Sequence, residues 1–306
     1  MGSTHTNQFL ESFHDTKRPF GWYLFGSLII ILFSFLGQLP LLFFISETNA
    51  VDSPSGLFSQ LDSNLLFFLL LIPSLVGFFG FLWVIRQFHH QTIVSVTTAR
   101  SRIDMQRVAF GFCFWGGLSV LIFMANLLLF PDNYQLNFKW KPFLIMLVIA
   151  CTLIPTQSAL EEWLFRGYLM QGFATLTKSR WMALVLTSVI FGSLHILNPE
   201  VEKLGYGLMA YYIGTGLFFG IISLMDEGIE LAIGFHVANN LITAILVTAN
   251  WTAFQTESIY KDISEPQLLS EMVLFLAILY PISLFVLAKK YNWSNWKSKL
   301  TASLHE

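Results

Sequence analysis

The chain reads as an all-α, polytopic integral membrane protein of about eight transmembrane helices, and three observations carry that reading. Hydrophobic residues make up 55% of its 306 positions and charged residues only 12%, against about 25% charged in an ordinary soluble domain. Apolar stretches near the ~20 residues that a spanning helix needs recur along the whole chain. Lysine and arginine fall unevenly between the loops that join them, as they do when one side of a membrane retains the cations.

Taken in order, residues 1–19 are polar and form a cytoplasmic N-terminal segment, disordered or interfacial. The run 20–45 follows Lys17 and Arg18. It exceeds the apolar core of a removable signal peptide, about 7–15 residues, and no small-residue cleavage site closes it, so it reads as a retained first span. Further spans are expected at 65–85, 108–130, 142–173, 181–197, 207–224, 229–249 and 271–288. With the N-terminus inside, twelve lysines and arginines, within 17–18, 86–107, 178–180 and 289–299, lie on the inner side. Four, Lys139, Lys141, Lys203 and Lys261, lie on the outer side, and Arg166 stays in the membrane. This asymmetry predicts an even number of spans with both termini cytoplasmic, in the cell membrane. The chain then divides into the polar segment 1–19, N-terminal helices and a basic loop over 20–107, a core over 108–250, and a last loop, span and tail over 251–306.

Between spans, the inner loop 87–106 holds His89, His90, Arg100, Arg102 and Asp104 and reads as a surface for anionic headgroups. The outer loops 46–64 and 252–270 are polar or acidic and carry no motif. Cys113 and Cys151 sit in apolar runs without CxxC spacing, so they read as packing residues. A net charge of -2 supplies no basic field for nucleic acid.

Polar residues inside the apolar runs are costly and mark function by default. Three such intrusions occur. The first is Thr156–Gly167, TQSALEEWLFRG. On a helix, Glu162 and Arg166 stand at i and i+4 and can pair, while Glu161 is turned about 100° away. One reading is an ion pair that only locks helices together; the other leaves Glu161 as a carboxylate free to handle protons. The second intrusion is Ser188–His195, SVIFGSLH, with Phe191 one turn before His195 so that its ring can wall the imidazole. The third is Gly234–Asn240, GFHVANN, where His236 and Asn240 share one face; interhelical hydrogen bonding explains either alone. Together, a carboxylate, two imidazoles and a carboxamide supply a base, a proton carrier and oxyanion donors without a nucleophilic side chain.

EEWLFR fits an EExxxR motif, FGSLH fits FxxxH and HVANN fits HxxxN, in that order and each on its own span. In these motifs, over about residues 108–250, the chain resembles the CPBP intramembrane endopeptidases. That family includes the CAAX prenyl endopeptidases and bacterial proteins linked to bacteriocin processing and self-immunity. The resemblance implies an intramembrane active-site cavity in which Glu161, with His195, holds and activates water while His236 and Asn240 line the oxyanion site. Glu162, Arg166 and Phe191 would support them. The implied partners are the lipid bilayer and a membrane-embedded peptide or protein substrate. The family is often labelled metalloprotease; if zinc is bound, Glu161, His195 and His236 are the ligand set. The sequence has no HExxH, and Asn240 suits an oxyanion donor better than a zinc ligand, so the metal-free reading is preferred. The rival reading from another class is a non-catalytic immunity or scaffold protein that keeps the site without turnover.

Overall fold

A computed structural model describes residues 8–11, 18–48 and 61–303. Eight principal helices organise it: α1 (Phe20–Thr48), α2 (Ser63–Gln87), α3 (Met105–Leu129), α4 (Trp140–Glu162), α5 (Arg180–Ser193), α6 (Met209–Asp226), α7 (Glu230–Leu246) and α8 (Tyr280–Lys290). Long apolar runs with few breakers make them helical, and side chains set where several begin. Asp62 caps α2 through the N–H groups of Asn64 and Leu65, Asp104 caps α3 through Gln106 and Arg107, and Ser179 caps α5 through Met182. α4 does not stop at Glu162. It passes through a π-helical turn, Trp163–Leu169, into Met170–Thr177 as one 38-residue run.

Large apolar side chains on the outside, such as Leu28 and Phe35 on α1 and Leu121 and Leu128 on α3, are exposed, which suits lipid and not water. Among the described residues, six helical segments are long and apolar enough to cross a membrane; α5 and α7 are shorter, at 14 and 17 residues. The protein is an integral membrane protein. α7 is the innermost helix, buried without interruption from Glu230 to Ala238 and packed on α3, α4 and α6. Glycines let it settle there: a Cβ at Gly111 of α3 would lie 2.7 Å from the Leu231 carbonyl oxygen, and one at Gly234 would meet the Val108 carbonyl.

Several expectations are corrected. The fifth run ends as a helix at Ser193 and not at 197, because the chain turns through His195 N–H to Gly192 O (3.0 Å) and Ile196 N–H to Ser193 O (3.2 Å). A small sheet interrupts the all-α pattern. Tyr134–Leu136 pairs antiparallel with Tyr260–Asp262, which pairs parallel with Val247–Thr248. Strands this short leave no period for sequence reading to detect. Within the N-terminal segment, Gln8–Glu11 forms a helical turn whose Phe9 and Leu10 are buried against residues such as Leu224 and Ile229, so this part is ordered against the helices. The rest of 1–17, and 49–60 of the loop 46–64, lie outside the described residues.

The loop 87–106 is corrected most. It folds onto the helices, with a turn Ile93–Thr97 capped reciprocally by Thr92 and Ser95. Arg100 pairs with Asp226 (3.1 Å) and Glu230 (3.2 Å), the pivot between α6 and α7. His90 and Arg102 stay exposed, but His89 is fully buried, with Nε2 2.9 Å from the Tyr168 hydroxyl. Burial pushes the His89 imidazole down to about 4. Because the unfolded chain takes up this proton near pH 6.5, the stability that neutral His89 contributes is complete above that pH and is lost as pH falls toward 4. Denaturant unfolding in micelles across that window is expected to show the fall, and His89→Phe to flatten it.

Candidate active site

The site is assembled where α4, α6 and α7 meet. Glu162 is fully buried, and its Oε1 accepts from both Arg166 Nη1 (2.9 Å) and His236 Nδ1 (2.7 Å). Arg166 spends a second N–H on the Gly216 carbonyl of α6 (3.2 Å) and lies 4.4 Å over the Phe191 ring. Gly216 can present that carbonyl because α5 presses against it: a Cβ there would lie 2.9 Å from Ser188 O. A charge pair so deeply buried is tolerable because protein surrounds it and Arg166 has a carboxylate, a carbonyl and aromatic faces as partners. Glu162–Arg166 is therefore the paired couple expected from the i, i+4 spacing. The third member, His236, was not legible.

Glu161 is placed differently. Its side chain keeps 27% of its surface exposed where Glu162 keeps none. Oε1 accepts from Gln157 Nε2, one turn earlier on α4. Oε2 lies 3.7 Å from His236 Nε2, too far for a direct hydrogen bond and close enough for both atoms to share one small reacting group. The ring of His236 is steered by Glu162 behind Nδ1 and by Phe219 stacked at 5.4 Å, so Nε2 faces Glu161.

One turn along α7, Asn240 Nδ2 donates to Gln157 Oε1 (3.1 Å) and Ser158 Oγ (3.3 Å), and its Oδ1 accepts from Asn239 (3.1 Å). Glu161, Glu162, Arg166, His236 and Asn240 are thus drawn into one polar network. His195 reaches it through Phe191. It sits in the turn after α5, donates from Nδ1 to the Phe191 carbonyl (2.8 Å), and stacks on Tyr212 at 4.3 Å. The Phe191 ring lies 4.9 Å from the His195 ring and 6.3 Å from the His236 ring.

Gln157, Ser158, Tyr212 and Gly216 belong to this site and were not singled out from sequence. A usable signal existed for the first two: Gln157 precedes Glu161, and Ser158 precedes Glu162, by one helical turn within an apolar run. Both histidines turn Nδ1 to an acceptor, and His236 holds Nε2 toward Glu161, an arrangement common to imidazole bases and metal ligands. Among the described residues, however, no three His, Cys, Asp or Glu side chains are gathered closely enough to hold a metal ion.

Comparison with known proteins agrees with the motifs. YyaK of Bacillus subtilis (strain 168), a protein named as uncharacterized, is 28% identical over 233 residues, covering 74% of this chain and 77% of its own length. No solved structure matches the chain. Residues 139–242 match the model described as type II CAAX prenyl endopeptidase Rce1-like, a span that holds α4, α5, α6, most of α7 and all three motifs. Over that segment the chain is similar to the type II CAAX prenyl endopeptidases of the Rce1-like kind.

Proposed function

We propose that the protein is an intramembrane endopeptidase that hydrolyses a peptide bond in a membrane-associated or lipidated protein or peptide. The reading rests above all on the unequal treatment of two adjacent carboxylates. Glu162 is consumed by Arg166 and His236, whereas Glu161 keeps one oxygen facing His236 Nε2 at 3.7 Å. In the proposed reaction Glu161, with His195, takes a proton from water as the oxygen attacks the carbonyl carbon. The carbonyl π bond opens to an oxyanion, which accepts from Asn240 Nδ2 and from Nε2 of His236 in its imidazolium form, with both ring nitrogens carrying protons; Asn240 releases its longer bond, to Ser158, to do so. The proton then passes to the leaving amine and the C–N bond breaks. No metal enters this sequence. We count α5, which keeps one face exposed, and the buried α7 as spans, giving eight with both termini cytoplasmic in the cell membrane. At about 21 Å, α5 falls short of the ~30 Å hydrocarbon thickness, which sets His195 at depth although it follows the helix end.

The test is quantitative peptidomics of membrane fractions from cells carrying the wild type or Glu161→Ala at matched protein level. An uncut precursor is expected to accumulate, and its product to disappear, in Glu161→Ala. Identical peptide profiles with an unchanged phenotype would point to the non-catalytic immunity or scaffold reading instead.

A further inference from the structure

A continuous line of hydrogen bonds runs from α3 to Glu161, and every link points the same way. Trp115 Nε1 donates to Asn239 Oδ1 (3.2 Å), Asn239 Nδ2 to Asn240 Oδ1 (3.1 Å), Asn240 Nδ2 to Gln157 Oε1 (3.1 Å), and Gln157 Nε2 to Glu161 Oε1. An indole N–H only donates and an ionised carboxylate only accepts. The two ends therefore fix the orientation of the three amides between them. Ser158 Oγ also donates to Gln157 Oε1 (3.1 Å), so turning Gln157 over would set its NH₂ against two donors. Trp115 is itself immobilised. It is 3% exposed, with the rings of Phe218, Phe235, Phe275 and Tyr280 at 5.4 to 6.2 Å.

We propose that Trp115, Asn239 and Gln157 are positioning residues, a one-way relay that occupies Oε1 of Glu161 and so selects Oε2 as the oxygen that receives the proton from water. None of the three is a fixed position of EExxxR, FxxxH or HxxxN. The inference rests on the reading of Glu161 as base, and it extends the site to α3, outside the family-matched segment 139–242. An oriented carboxylate loses no time to rotation, and a misplacement of about 1 Å in such a site is worth about a hundredfold in rate.

The test uses the full-length chain in nanodiscs with two readouts. One is turnover of an internally quenched farnesylated peptide that ends in a CAAX sequence. The other is the indole N–H resonance of Trp115 in protein labelled with ¹⁵N-tryptophan, identified by its loss in Trp115→Phe. Trp115→Phe is expected to lower kcat about tenfold at unchanged KM, and Gln157→Leu about a hundredfold. In the double variant Trp115→Phe adds nothing further, because the relay is already cut downstream. Gln157→Glu, which keeps the acceptor toward Asn240 but removes the donor toward Glu161, is as damaging as Gln157→Leu. The indole resonance moves upfield in Glu161→Leu, at the far end of the line. Losses that multiply in the double variant, wild-type kcat in Trp115→Phe, or an indole indifferent to Glu161→Leu each overturn the relay. If the wild type leaves the farnesylated CAAX peptide uncut, cleavage of that substrate class is excluded, while the indole response still decides the relay.

Discussion

Glu161→Gln is expected to lower turnover by about 10²–10⁴-fold while the protein stays folded. The amide keeps the length of the side chain and an oxygen for Gln157 to donate to, so the local hydrogen bond survives. What disappears is the basic oxygen facing His236. Peptide hydrolysis in liposomes measures the first effect and thermal unfolding in micelles the second. Near-normal turnover would place the base elsewhere.

The second large effect falls on stability. Glu162→Gln leaves Arg166 fully buried without its counter-charge, and removal of one partner from a buried pair costs about 3–5 kcal/mol. His236 loses the carboxylate behind its Nδ1 as well, so activity falls with stability. A double replacement, Glu162→Leu with Arg166→Met, is expected to recover most of the stability, because neither charge remains to be compensated. It does not recover turnover, since His236 is still unsteered. Denaturant titration of the three proteins tests this; a Glu162→Gln protein as stable as the wild type would show that the pair carries no structural role.

How much of this was legible beforehand depended on distance along the chain. The pairing of Glu162 with Arg166, and the shared face of His236 and Asn240, follow from one helical turn, and the structure has both. The second bond to Glu162 comes from His236, 74 residues away, where spacing has nothing to say. The loop 87–106 was misread for a related reason. Histidines and arginines that meet lipid headgroups have the same composition as those that meet Asp226, Glu230 and Tyr168 across the fold. His195 was placed within a helix because its neighbours Leu194, Ile196 and Leu197 are apolar; in the structure those three are exposed around a turn. Hydropathy registers that a residue is apolar, not which surroundings satisfy it.

The stapling of the inner loop by Arg100 also sets an order of events during synthesis. Its partners Asp226 and Glu230 lie 126 and 130 residues later. At about 5–20 residues per second, roughly 6–25 s separate the emergence of Arg100 from that of the carboxylates that hold it. Until then α1, α2 and α3 exist without the contact that fixes the chain between them. The nascent protein therefore carries an open basic loop on one side while the next 126 residues are made, and that loop closes only when the turn between α6 and α7 is made. A ribosome stalled before Asp226 is expected to leave this loop open to protease, and one stalled well past Glu230 to leave it protected.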